Sequence, residues 1–157
     1  MKDINNICDY VIFRITGEGN GSLSHLKLQK LLSYIQSWHL AFEKDPLFKG
    51  KFQAWIHGPV NREIYNRFKD TKYMYSFINM KDIQQQDLSF STIEQNKKDH
   101  IDSVLEVYAP FSDVQLENMT HNEKPWIEAR EGYEPFQRCE EEIDEKTMHH
   151  YYASRVE

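Results

Sequence analysis

Seven histidines, at positions 25, 39, 57, 100, 121, 149 and 150, and two cysteines, Cys8 and Cys139, are the side chains best suited to ligate a metal or attack an electrophile. Their spacing argues against both. No HxxxH, HExxH or CxxC occurs, so no local segment presents two zinc ligands together. His149 and His150 are adjacent, and on a helix they point about 100° apart. A metal site would have to draw His39, His57 and His121 from three separate stretches. A nucleophilic thiolate needs a positive neighbourhood, whereas Cys139 precedes three glutamates and Cys8 lies on an apolar helix face. No GxSxG elbow is present. The expectation is a protein that is not an enzyme and uses no metal or cofactor.

Phosphate and nucleic-acid chemistry fare little better. Gly17, Gly19 and Gly21 fall in the loop GEGNGS, which follows a helical pattern rather than a strand and fits neither GxGxxG nor GxxxxGK[ST]. It reads as a connector. Lys27 with Lys30, and Arg62 with Lys69, pair on two helices near aromatics, and a nucleic-acid-binding regulator is the alternative function they suggest. Against it stands a net charge of −6, from 25 acidic and 19 basic residues. Such a chain is repelled by phosphate backbones. The strongest charge run is EEEIDE at 140–145, read as a solvated helix start or face; its sharper alternative is an acidic face for a basic partner.

The elements that must position these residues are mostly helical. Residues 3–16 carry apolar side chains at spacings of three and four. The clearest helix spans about 24–43, with Ser24 as N-cap and Leu28, Leu31, Ile35, Trp38 and Phe42 stepping by 3, 4, 3 and 4. Lys27, Lys30, Ser33 and Ser37 fall off that stripe. A Trp in the core beside a half-buried His is expected at Trp38 and His39. Residues 52–57 alternate as a short strand, and Gly58-Pro59 then opens a helix through VNREIYNRFKD. The stretch 70–97 is weakly patterned, and TKYMYSFINM fits strand or helix, so a second β element is expected within 75–91. Helices follow from about 99 to Pro110, after Ser112, over 120–131 with Pro125 in the first turn, and in the tail.

At 157 residues, with 39% hydrophobic content and nine Phe, nine Tyr and three Trp, the chain can bury a core of its own. One domain over 1–157 is expected, mainly α (α+β), built around the helix at about 24–43. No apolar run nears the ~18 residues of a membrane span. The start lacks a basic, cleavable leader, and the two cysteines suggest no disulfide framework. The cytoplasm is the expected location, with no membrane partner.

Three stretches add a further layer. LKLQKLLSYIQSWHLA at 26–41, FQAWIHGPVNREIY at 52–65 and LENMTHNEKPWIEARE at 116–131 together resemble the Panacea domain, the SocA-like antitoxin family also met in phage-associated proteins. Lys27, Leu28, Gln29, Lys30 and Leu31 carry the first motif. Ala54, Trp55, Gly58, Pro59 and Val60 carry the second, and Thr120, His121, Pro125, Trp126, Ala129 and Arg130 the third. The resemblance covers residues 1 to 152. Ser33 displaces an aromatic common in the family, and the glycine-rich insert at 17–21 is long. The resemblance implies an antitoxin that neutralises a cognate protein toxin, encoded nearby, by direct contact. It also implies a possible adaptor role toward an ATP-dependent protease. Nothing in the chain specifies a homo-oligomer. The candidate partner-binding residues are Trp55, His57, Gly58, Pro59, His121, Trp126 and Arg130, lining a shared groove. The competing reading has the two tryptophans packing a corner while His121 or Arg130 ties off buried carbonyls. Residues 70–97 and the acidic tail are then left to read a partner.

Overall fold

The computed structural model describes residues 1–19 and 21–156. Asn20 of the glycine-rich connector and Glu157 of the tail lie outside the described residues. The fold is laid around one helix, α2 (His25–Glu43). The Ser24 hydroxyl accepts from the Lys27 amide at 3.0 Å and starts it, and Lys44, at φ +67°, ends it. Around it pack α1 (Ile4–Thr16), α4 (Gln95–Tyr108), α5 (Asp113–His121) and α7 (Glu145–Ala153), with a hairpin of β2 (Gln53–Trp55) and β3 (Gly58–Val60). Short helices α3 (Arg62–Phe68) and α6 (Lys124–Ala129) complete the layer, so among the described residues the chain is mainly α with small β elements.

Because α2 is covered on several sides, its apolar stripe alone does not predict what is buried. Leu28, Leu31, Leu32 and Ile35 are fully enclosed as their period requires, but so is Lys30, and Ser33 and Ser37 join them. Phe42, on the expected stripe, is 57% exposed because it falls in the last turn of the helix. Trp38 and His39 also exchange roles: the histidine is buried, its Nδ1 2.6 Å from the Asp45 carbonyl, and the tryptophan is half-buried.

Of the helix caps, Ser24 and Ser112 were expected from the sequence and both cap as expected. Asp3, Asn61, Ser112 and Asp144 each accept backbone N–H groups at a helix start, and Ser112 forms a reciprocal box with Gln115. Helix α4 starts at Gln95, earlier than 99, and ends before Pro110.

Three expectations are corrected. Gly58-Pro59 does not open a helix. It forms the return strand of the hairpin, with Ala54 opposite Pro59 and Trp55 opposite Gly58, and the helix begins only at Arg62. Within 75–91 the β structure shrinks to β4 (Phe77–Ile78), paired with β1 (Leu23–Ser24); turns and a 3₁₀ segment fill much of the rest. The acidic run is extended through Ile143, not helical. The Ala54 amide donates to the Glu141 carbonyl at 2.9 Å and the Ile143 amide to the Phe52 carbonyl at 2.7 Å, which lays this segment along β2. Only Asp144 and Glu145 serve a helix start.

Candidate functional site: the three-motif corner

The three motifs meet on the backbone of the β2–β3 hairpin. From α2, the buried Gln29 carboxamide takes the Asn61 amide at 2.8 Å and donates back to its carbonyl at 3.3 Å. One residue on, the Lys30 ammonium donates to the Pro59 carbonyl at 3.0 Å. From the other side, Trp126 Nε1 donates to the Trp55 carbonyl at 2.8 Å, and Arg130 Nη1 to the Ala54 carbonyl at 2.8 Å. The other terminal Arg130 nitrogen, Nη2, donates to the Glu134 and Gln137 carbonyls at 3.0 and 2.6 Å. A buried arginine held only by backbone oxygens is a clamp: it satisfies carbonyls that would each cost about 1–3 kcal/mol unpaired.

The second motif needs its glycine for two reasons. Gly58 has φ +114°, where a side chain is strained. A Cβ there would also lie 2.5 Å from Lys30 Cε and 2.7 Å from Thr120 Oγ1. Residues of the first and third motifs therefore occupy the space a side chain would need. His121 stacks on the Trp126 ring at 4.1 Å, and the Arg130 guanidinium sits 5.2 Å from the same ring.

Beneath the corner lies a small pocket of about 10 Å³, lined by Ser33, Pro59, Thr120, Glu123, Trp126 and Tyr152 among others. That holds roughly one water. Glu123 accepts from the Tyr34 hydroxyl at 3.0 Å and the Tyr152 hydroxyl at 2.8 Å, joining α2, α6 and α7. Burial pushes its carboxyl up to about 7, against the two hydroxyls that favour the charged form. Burial likewise pulls Lys30 down to about 7, opposed by Glu117 and Asp113, and lowers His121.

Of the sequence candidates, the corner brings all seven together but exposes them unequally. Gly58, Pro59 and Arg130 are buried; Trp55, His121 and Trp126 are half-buried. His57 reaches solvent, its Nδ1 2.7 Å from a Glu117 carboxylate oxygen. Trp55 packs edge-on to Tyr65 and lies under the Arg62 guanidinium at 4.8 Å. His39 stands apart, with Asp45, Lys97 and His100. The sequence reading missed Gln29, Lys30, Thr120 and Glu123 as parts of the corner. A signal existed for three of them, since Gln29, Lys30 and Thr120 belong to the motifs themselves.

The family model described as "Antitoxin SocA-like, Panacea domain" matches residues 28–127. Neither a curated protein nor a solved structure matches the chain. The matched segment spans well over half of the chain and holds the α2 clamps, the hairpin and the Thr120–Trp126 face that close on one another. The chain belongs to the SocA-like antitoxin family, as a Panacea domain.

Proposed function

We propose that the protein is an antitoxin that neutralises a cognate protein toxin by binding it directly. The observation that carries this reading is the family match over 28–127, which contains the hairpin and most of its clamps. Neutralisation is by occlusion: an interface near the common total of about 1,600 Å² would cover the toxin's working surface without chemistry by the antitoxin. Enclosure of the corner supports a division of labour. Gly58, Pro59 and Arg130 brace the hairpin, while His57 and the half-buried Trp55, His121 and Trp126 form the part of the corner that a partner can touch. No helix among the described residues is long and apolar enough to cross a membrane.

Co-expression tests the reading. The adjacent reading frame is induced in a heterologous bacterium, alone and with this protein, followed by pull-down. Growth arrest relieved together with a stable complex is the expected result. A harmless neighbour, or one that stays toxic beside well-folded antitoxin, overturns it. Adding a protease-deficient host separates plain sequestration from delivery to an ATP-dependent protease: rescue that persists there needs no degradation.

A further inference from the structure

Beside the closed corner the chain leaves a set of aromatic side chains in water. Tyr73, Tyr75 and Phe77 are 84%, 59% and 66% exposed, on a turn in which the Ser76 amide donates to the Tyr73 carbonyl at 3.0 Å. The turn is not loose. The His25 amide donates to the Ser76 carbonyl at 3.1 Å and the Leu26 amide to the Met74 carbonyl at 2.7 Å, and Ile78 is buried. A backbone fixed to the first turn of α2 therefore displays rings that pack on little. Large apolar side chains held out in this way lose little conformational entropy on binding, which suits an interface anchor.

The charges around these rings are negative. Phe77 stands directly opposite Ser24 across the β1–β4 pair, so both side chains leave on one face. The Ser24 hydroxyl donates to Asp113 Oδ2 at 2.8 Å, which puts that carboxylate on the Phe77 side. Tyr75 lies 6.5 Å, ring to ring, from His57, whose partner is Glu117. Burial and then the charges of Glu117 and Asp113 push the Tyr75 hydroxyl up. Val114, 64% exposed, follows Asp113 in the first turn of α5. Three lysines of the neighbouring elements are engaged elsewhere: Lys27 donates to the Ala109 carbonyl at 2.6 Å, Lys30 is buried on Pro59, and Lys72 faces Asp82 at 3.8 Å.

From this juxtaposition we infer that Tyr75, Phe77 and Val114, edged by Asp113 and Glu117, form the surface that binds a basic segment of the neutralised protein, one in which Lys or Arg side chains alternate with apolar ones. The carboxylates complement the charge, and the open rings receive guanidinium or ammonium groups and the apolar positions between them. The inference rests on the antitoxin reading for the partner's identity, but the surface's preference for positive charge stands on its own geometry. The apolar groove between α2 and α4, lined by Trp38, Phe42, Val107 and Tyr108, is the competing surface.

The probe is a fluorescein-labelled peptide alternating Arg and Leu, with a Glu/Leu peptide as its charge reversal, titrated against the full chain at two salt concentrations. The cationic peptide binds and the anionic one does not. The double variant Tyr75→Ser, Phe77→Ser weakens binding about tenfold with the melting temperature unchanged, because both rings are exposed. Glu117→Lys weakens it likewise but lowers the melting temperature, because that carboxylate is half-buried and supports the Lys30 charge. Phe42→Ser in the competing groove, and Glu131→Lys, which makes the same charge change elsewhere, stay within about twofold. Equal losses from Glu131→Lys and Glu117→Lys would mean diffuse attraction to an acidic protein and overturn the surface, as would loss confined to Phe42→Ser. The same variants then enter the co-expression assay. If wild type neutralises and Tyr75→Ser, Phe77→Ser neutralises equally, the surface is wrong and the antitoxin reading stands. If wild type fails to neutralise while peptide binding maps to Tyr75 and Phe77, the surface stands and that reading falls.

Discussion

The hairpin corner and the Tyr73–Ile78 turn lie side by side, joined by the His57–Tyr75 contact, yet they treat their aromatic residues in opposite ways. In the corner, Trp55 and Trp126 are bound through ring N–H groups and backbone, and Arg130 is 6% exposed. In the turn, Tyr73, Tyr75 and Phe77 project into water from an equally well-bonded backbone. The buried motif residues thus build the frame, and the turn, which carries no motif, supplies an outward surface beside it. A domain organised in this way can keep one scaffold while the surface beside it changes.

The comparison breaks first at Arg130. Arg130→Ala leaves three carbonyls without their clamp and should cost roughly 3–5 kcal/mol in a denaturant titration. Arg130→Lys should not restore it, because one ammonium cannot span three diverging acceptors. If Arg130→Ala melts like wild type, the corner is not the frame.

The next test is pH. Lys30 has a native pKa of about 7 against 10.5 for an ordinary, solvated lysine, so the unfolded chain binds more protons between those values. Stability contributed by this group therefore rises with pH from 7 upward and is lost as pH falls through 7. Between pH 7 and 9.5 wild type should gain roughly 3 kcal/mol relative to Lys30→Met. Parallel stability curves for the two proteins would show that the buried ammonium is not strained.

Glu123 carries the opposite sign. Its native pKa of about 7, raised from 4.5, makes its contribution full below 4.5 and lost as pH rises through 7. It opposes His25, which burial lowers from 6.5 to about 4 and whose contribution is lost as pH falls through 4. Glu123→Gln should therefore steepen the rise in stability between pH 4.5 and 7, by roughly 2 kcal/mol over the window. Thermal melts across that range, for both proteins, check the slope.

The smallest stability effect is expected in the turn. Tyr75→Ser with Phe77→Ser should shift folding free energy by no more than about 0.5 kcal/mol while abolishing neutralisation in the co-expression assay. A large loss of melting temperature would place these rings in the frame and erase the contrast.

What the sequence determined by itself was local. The 3.6 period marked α1 and α2, short polar side chains marked the caps at Ser24 and Ser112, and Pro125 marked the start of α6, because these signals act within a turn or two of helix. Three spaced motifs carried the family. Tertiary structure decided the rest. It turned Gly58-Pro59 into a strand, since Gln29, Lys30 and Thr120 close on that backbone from distant positions. It buried Lys30, Ser33 and Ser37 and left Phe42 in water, because burial depends on what covers a helix and not only on its own period. It also drew the acidic run out along β2 through bonds to Ala54 and Phe52. A backbone hydrogen bond between residues some ninety positions apart leaves no periodicity to read.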